Sequence, residues 1–487
     1  MTQAIDYHAI LPELILSGVI LLVLVVDVFL PAGRKWWTMP VSLVGILAAL
    51  VAQFTLLGEK RSTFGGMFVV DNFANLFKIF FLTVAAVVLA LSLRYFREGG
   101  FYQGEYYFLL LTSFLGCVLM PSSRDLLMLF LSLELVSAPG FLMAAFKKGD
   151  VRSQEAGIKF FLIGVLSTAV MLYGMSLIYG VTGATRLTAI ASRLAELSGE
   201  THLIVLAAIL FIVAGFAFKV SAVPFQFWAP DTYEGAPVPV AAFLAVASKA
   251  AGFAGLLQLM FVAFLREADF WAPIFAALAI LTMVVGNLVA LQQKQVIRLL
   301  AYSGIGQAGY MLLPFGLAGF SEATDKAAFS AAVTYIVIYA VMNLGAFAVA
   351  VGVSRRSPGL LIRDFAGLGK TEPLLAVGMT AFMVGLAGVP PAGGFWAKIF
   401  IFNAAIDRGG IGFTLAIVML VTSVISIFYY FAIPRAMFFD VGEDERPLRS
   451  AALVNVVVAA AMVAIVAAFV WPDAFARAPQ FSTLLGS

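Results

Sequence analysis

The 487-residue chain has one cysteine, Cys117, and two histidines, His8 and His202. A lone cysteine excludes an intrachain disulfide, and no cysteine cluster exists to hold an iron–sulfur centre. Two histidines far apart in sequence cannot supply the axial ligands of several haems. Charge is scarce too. Only 12% of the residues are Asp, Glu, Lys or Arg, against about 25% in soluble domains. A net charge of +3 is too small to imply a nucleic-acid surface. What fills the chain instead is apolar: 62% of residues are hydrophobic and mean hydropathy is +1.02. These values describe a polytopic membrane protein embedded in a lipid bilayer.

A helical span needs about 20 apolar residues. Fourteen such stretches are expected, at 8–30, 37–57, 72–96, 105–121, 125–146, 156–180, 202–229, 237–264, 270–292, 297–319, 327–353, 373–405, 411–434 and 450–471. The first opens with Asp6, His8 and Glu13 and lacks a basic flank, so it reads as a retained span and not as a signal peptide. The longest polar stretches, near 181–201, 354–372 and 435–449, read as short loops, and no soluble domain fits between spans. Alternate loops differ in basic residues. One set carries sixteen Lys and Arg, among them Arg355, Arg356, Arg446 and Arg449; the other carries nine, among them Arg61, Arg124 and Arg477. The richer set is expected in the cytoplasm, and an even number of spans then puts both termini outside.

A faint internal repeat runs through the chain. Val223-Pro224-Phe225-Gln226-Phe227-Trp228-Ala229 in the seventh span matches Val389-Pro390-Pro391-Ala392-Gly393-Gly394-Phe395-Trp396-Ala397 in the twelfth. The copies are five spans apart, and an odd number of spans inverts the second copy, as in many transporters. The expected organisation is an all-α polytopic membrane protein with a three-helix segment over 1–104, a first five-helix repeat over 105–264, a second, inverted repeat over 270–438, and a C-terminal helix and tail over 450–487. Proline in mid-span removes a backbone donor and clashes with the preceding turn. Helices 7 and 12 are therefore expected to be broken, and broken backbone at membrane depth is tolerated only where protein or a water-filled cavity satisfies it.

Four ionisable residues fall near the midpoints of apolar spans: Glu134, Lys219, Lys249 and Lys398. Each costs about 2.5–3.5 kcal/mol on insertion scales, so each is a functional-site candidate. Lys219 and Lys398 flank the two helix breaks. Three lysines and one carboxylate suit movement of protons or cations: burial lowers a lysine's proton affinity and a nearby carboxylate raises it. A conformational change that separates Glu134 from Lys219 would release the Lys219 proton toward Lys249, with Lys398 as the carrier on the exit side. Glu13, Asp27, Lys78 and Lys159 lie nearer span ends, where long side chains reach the interface and short ones pair or stay hydrated. Glu155 and Lys159 have the i,i+4 spacing of a helical ion pair, and Lys159 stands where a cytoplasmic access route would begin. Gly304-Ile305-Gly306-Gln307-Ala308-Gly309 matches a dinucleotide fingerprint, but that motif needs a preceding strand. Within an apolar span its small residues read as a close helix contact.

Tyr233-Glu234-Gly235-Ala236-Pro237, which follows the break at Pro224 and precedes Lys249, resembles the subunit N family of bacterial NADH–quinone oxidoreductase, respiratory complex I. So do Leu133-Glu134-Leu135 and the run from Gly388 to Lys398. The likeness covers essentially the whole chain. It implies a proton-translocating subunit of the membrane arm, in the bacterial inner membrane, with Glu134, Lys219, Lys249 and Lys398 as the proton path. It also implies no cofactor in this chain: NADH, FMN, iron–sulfur clusters and quinone would sit in partner subunits, beside other antiporter-like membrane subunits. The chain ends one helix after its second repeat, as subunit N does; subunit L adds a lateral helix. Relatives often carry histidine where this chain has Gln226, and a neutral amide cannot carry a proton as imidazolium does. Water would then bridge Lys219 and Lys249. The alternative is a subunit of a multi-subunit Na⁺(K⁺)/H⁺ antiporter built on the same repeat.

Overall fold

A computed structural model describes residues 5–101, 103–196, 200–442 and 450–475. All fourteen expected stretches are helical, and they are numbered here in chain order. They are α1 (Leu11–Phe29), α2 (Thr38–Phe54), α3 (Asn72–Glu98), α4 (Gln103–Leu119), α5 (Leu126–Ala144), α6 (Val151–Thr182), α7a (Glu200–Lys219) with α7b (Trp228–Gly235), and α8 (Val238–Ala263). There follow α9 (Ala268–Ala290), α10 (Val296–Leu312), α11 (Glu322–Ser354), α12a (Pro373–Ala387) with α12b (Gly394–Arg408), α13 (Ile411–Phe439) and α14 (Ala452–Val470). Twelve of the described helices are long and apolar enough to cross a membrane. The two expected spans outside that set are the broken α12 and α10, whose last stretch tightens into a 3₁₀ turn at Leu313–Leu317. Arg446, Arg449, Arg477 and the tail from 476 lie outside the described residues.

Short polar side chains start these helices. Asp71 accepts from the amide of Ala74, Asp125 from Leu127, Asp150 from Arg152 and Ser321 from Thr324. Each satisfies an amide that the first helical turn leaves without a partner. Burial sorts the spans into layers. The apolar window of α8 is entirely buried and that of α11 is 89% buried, whereas α1 and α14 are only 28% buried. So α8 and α11 form the axis and the terminal helices are peripheral. The axis is not regular. α8 widens into π-helical turns at Leu244–Ser248 and Leu259–Ala263, and such turns frequently mark functional positions.

Two connecting segments hold regular structure, and the second was expected to be a plain loop. Arg61–Thr63 pairs antiparallel with Phe68–Val70, because Gly65 and Gly66 adopt the positive φ that a tight reversal needs. The polar stretch near 181–201 contains a helix, Leu187–Leu194, that buries Leu187, Ile190 and Leu194 on one face; its short amphipathic period is diluted by polar neighbours.

Both breaks occur where proline required them. After Lys219 the chain leaves helical geometry until Trp228, and after Ala387 until Gly394. The Val223–Pro224 and Pro390–Pro391 peptide bonds are cis. Neighbouring helices take up the freed backbone groups. The amide of Val223 donates to Thr282 Oγ1 on α9 at 3.0 Å, and that of Gly393 to the carbonyl of Ile465 on α14 at 3.0 Å. Each break also holds a tryptophan by its indole: Trp228 donates to Phe218 O at 3.1 Å and Trp396 to Phe469 O at 3.0 Å. The satisfaction demanded at membrane depth is thus met by protein.

Candidate functional site

The break fixes the position of Lys219. It is the last residue of α7a, not the middle of one long helix as its sequence position suggests, because α7 stops there. Lys219 is 2% exposed and donates to Ser137 Oγ on α5 at 2.8 Å. Glu134 lies one turn earlier on α5, near enough for its charge to act on Lys219. The two do not form an ion pair, and Glu134 Oε1 has no hydrogen-bond partner. The expected Glu134–Lys219 contact is therefore open, with Ser137 in its place. Cys117 also stands close to Lys219.

Lys249 begins the helical stretch that follows the first π turn of α8. It is 2% exposed and donates to the carbonyl of Gly304 on α10 at 2.6 Å. A Cβ built at Gly304 would lie 3.4 Å from Lys249 Nζ and 3.1 Å from Tyr339 Oη, so the missing side chain lets lysine and phenol converge there. Lys219 reaches the same helix: a Cβ at Gly252, three residues beyond Lys249, would meet Lys219 Cγ at 3.0 Å.

Lys398 lies in α12b just past the second break. It donates to Ala387 O at 2.9 Å, the last carbonyl of α12a, and to Ser423 Oγ on α13 at 3.0 Å. Its ammonium also sits 4.7 Å from the centre of the Tyr310 ring, a favourable cation–π distance.

The span that carries the glycine-rich motif connects the last two lysines. Gly304, Gln307 and Tyr310 follow at i, i+3 and i+6 on α10, so they share a face. Gly304 holds Lys249 and Tyr310 lies beside Lys398. Between them Gln307 Nε2 donates to Leu386 O at 2.9 Å and to Tyr430 Oη at 3.0 Å, and its Oε1 accepts from Tyr335 at 2.5 Å. Ser303 hydrogen-bonds Tyr430 at 2.6 Å. Asn287 donates to Tyr310 at 3.3 Å and accepts from Tyr429 at 2.8 Å. The motif's small residues also give the close packing expected of them: a Cβ at Gly286 would fall 2.4 Å from the amide of Gly306. None of Ser137, Gln307, Tyr310, Tyr339, Ser423 and Tyr430 was a sequence candidate. The i,i+3 spacing of Gln307 and Tyr310 on one face of α10 is the signal that points to two of these positions.

Gln226 lies inside the first break, 7% exposed, with its amide oxygen unpartnered. Its side chain hydrogen-bonds neither Lys219 nor Lys249. Lys78 and Glu13 are not at an interface. They form a direct pair at 2.7 Å with side chains 0% and 7% exposed, because α3 and the hairpin residue Phe68 cover the lysine. Asp27 pairs with Lys35 at 3.0 Å.

On the side of the basic-rich loops, two cavities flank α7b. One of about 560 Å³ is lined by Tyr233, Glu234, Lys147 and Arg355 among others; the second, of about 270 Å³, is lined by Lys159, Asp231, Glu234 and Arg298. Lys159 bonds Glu155 at 2.6 Å and Asp231 at 2.7 Å. Arg298 bonds Asp231 at 2.7 Å and Glu234 at 2.9 Å. These pairs fasten α7b to α6 and α10. Tyr233, on α7b, is 1% exposed with an unpartnered hydroxyl. Among the described residues no three His, Cys, Asp or Glu side chains gather as a metal site.

Comparison with known proteins adds sequence relatives to this geometry. Residues 123–426 match the family model described as NADH:quinone oxidoreductase/Mrp antiporter, TM. NADH-quinone oxidoreductase subunit N of Trichlorobacter lovleyi is 42% identical over 91% of this chain and 90% of its own length. Its counterpart in Moorella thermoacetica is 40% identical over 92% of each. Among solved structures, a chain of respiratory complex I from Thermus thermophilus aligns with TM-score 0.79 and 31% identity, covering 96% of this chain and 98% of that one. A chain of the Mrp complex from Dietzia sp. aligns with TM-score 0.84 at 20% identity over 98% and 97%, a likeness of fold.

Proposed function

The chain belongs to the subunit N family of NADH–quinone oxidoreductases, and we propose that within that complex it translocates protons through Glu134, Lys219, Lys249 and Lys398. One observation carries this reading. Among the described residues five cationic side chains within the bundle are less than 9% exposed. Lys78 and Arg124 each face a carboxylate, Glu13 and Asp71. Lys219, Lys249 and Lys398 are held only by hydroxyls and backbone carbonyls. A paired cation is a fixed charge. A lysine buried against neutral dipoles has no ion pair to hold its proton, and desolvation favours the neutral form. Three such lysines, one of them with Glu134 nearby, suit proton exchange.

The geometry supports one order. Protons enter from the cytoplasmic cavities, beside which Lys159, Asp231 and Glu234 form a hydrated rim. They load Lys219 or Lys249, both of which touch α8. They pass along the hydroxyl and amide face of α10 to Lys398. Water bridges the gaps, because Gln226 cannot itself carry a proton. Approach of Glu134 to Lys219 retains the proton, and separation releases it. Energy comes from quinone reduction in partner subunits, which hold the NADH, flavin, iron–sulfur and quinone sites. Glu134 is half-buried on α5, with its Oε1 enclosed in the bundle and unpartnered. Other membrane-arm subunits pack beside this chain in the complex. The basic-rich loops and both cavities lie in the cytoplasm, and both termini lie outside the inner membrane. The division into three N-terminal helices and two inverted repeats fits the matched breaks at α7 and α12. The relatives at 40–42% identity support a redox-coupled subunit over a cation antiporter.

The test is NADH-driven proton uptake by the complete complex in closed vesicles carrying Lys219→Ala. Flux should fall sharply while the complex stays assembled; flux equal to the unmodified complex refutes the reading.

A further inference from the structure

Away from the cytoplasmic cavities lies a second buried polar group that the lysine row does not use. Arg124, in the turn between α4 and α5, is 8% exposed. One guanidinium nitrogen donates to Pro121 O at 2.7 Å and to Gln258 Oε1. The other donates to Asp71 Oδ2 at 2.5 Å. Gln258, on α8, is fully buried and donates in turn to Met120 O at 2.9 Å and Ala254 O at 3.0 Å. Asp71 caps α3. The start of α3, the α4–α5 turn and the far end of α8 thus meet at one guanidinium.

An apolar layer separates this group from Lys219. Cys117 stands beside the lysine, and Met120 follows one turn along the same chain. A Cβ at Gly255 on α8 would touch Phe216 at 2.7 Å and the Met120 sulfur at 3.2 Å, which leaves no room for water there. Outward from Lys219 the order is therefore Phe216 and Met120, then Gln258, Arg124 and Asp71, then the loop side poor in basic residues.

We propose that Arg124, positioned by Asp71 and Gln258, is the outer proton seal of this subunit: a fixed cation that keeps external protons from reaching Lys219. The guanidinium stays protonated at any physiological pH, so it cannot relay a proton. Asp71 balances its charge, so the guanidinium seals by filling the narrow point with N–H groups that cannot pass a proton on, and the dry apolar layer behind it removes the water wire. Asp71 and Gln258 hold the group in one place. Lys78 and Glu13 stand behind Asp71 as a second ion pair, close enough for Lys78 to feel Asp71 and Arg124 but with no hydrogen bond to either.

This inference rests on Lys219 as a proton carrier, and its test separates the two. The complete complex carrying Arg124→Gln is sealed into vesicles, a pH gradient is imposed without NADH, and passive proton leak is measured. Leak should rise on the order of tenfold, the factor that a barrier lower by about 1.4 kcal/mol yields. Adding Lys219→Ala should restore tightness. The pair variant Glu13→Gln with Lys78→Met should stay tight, although it loosens the N-terminal helices. Arg124→Gln as tight as the unmodified complex overturns the seal. So does a leak that persists with Lys219→Ala, or an equal leak from the pair variant. If Arg124→Gln does not assemble, Gln258→Leu decides: it removes the Arg124 acceptor and should leak, and a tight vesicle overturns the proposal. Undiminished NADH-driven flux in Lys219→Ala alone would instead sink the carrier reading.

Discussion

The two broken helices place their lysines on opposite sides of the break. In α7 the lysine precedes the gap, as the last residue of α7a, and its single partner is the Ser137 hydroxyl on another helix. In α12 the lysine follows the gap and folds back on it, bonding the terminal carbonyl of α12a as well as Ser423. A carboxylate, Glu134, stands near the first lysine. The second lysine has the Tyr310 ring. The half-helix α7b is clamped by ion pairs at the cavities on the side of the basic-rich loops, and among the described residues no comparable set of ion pairs joins α12b to its neighbours. One local device, proline in mid-span, thus yields an adjustable site in the first half and a more tightly held one in the second. On the proposed proton path the first changes its proton affinity and the second receives.

That contrast can be broken in order of effect. The largest change is expected from Lys219→Ala, which should cut NADH-driven proton flux by about tenfold or more, as loss of an essential proton carrier does. Gln307→Leu comes next. It strands the Tyr335 hydroxyl and the Leu386 carbonyl that now share one amide, at about 1–3 kcal/mol for each buried group, while Tyr430 keeps Ser303. A several-fold loss of flux with Lys219 intact, and a lower Tm of the complex, would locate the passage between the halves on α10. The serines sharpen the comparison directly. Ser137→Ala removes the only hydrogen bond of Lys219, whereas Ser423→Ala leaves Lys398 its carbonyl. The first should reduce flux about tenfold, at roughly 1.4 kcal/mol per tenfold, and the second only slightly. Equal effects would erase the asymmetry. The smallest change is expected from Asp231→Asn. Its ion pairs are about one-third exposed, so each contributes on the order of 0.2–1 kcal/mol. Faster amide hydrogen exchange in α7b, with α12b unchanged, is the expected readout.

Much of the architecture was legible because membranes restrict the choices. Every span had to be an apolar helix, so fourteen stretches could be read from composition, and the prolines announced both breaks. The four ionisable residues stood out because charge is costly in an apolar run. Other features were illegible for physical reasons. Ser137, Ser423 and Tyr430 are ordinary in membrane helices, and only their position against a lysine gives them a role. Glycine at 304 reads as packing; that it lets Lys249 and Tyr339 converge depends on which helix faces it. Glu13 and Lys78 looked like interfacial residues because each lies near a helix end, and nothing local says that they face each other. The π turns of α8 leave no residue signature.

The sequence by itself determined that this is a helical membrane protein with charges at mid-span and two interrupted helices. Those properties follow from the energetics of single segments in lipid. Only the tertiary structure decided which buried cations meet a carboxylate and which meet neutral dipoles. That pairing is a relation between helices far apart in the chain, and it separates Lys78 and Arg124, each paired with a carboxylate, from Lys219, Lys249 and Lys398, each hydrogen-bonded only to neutral groups.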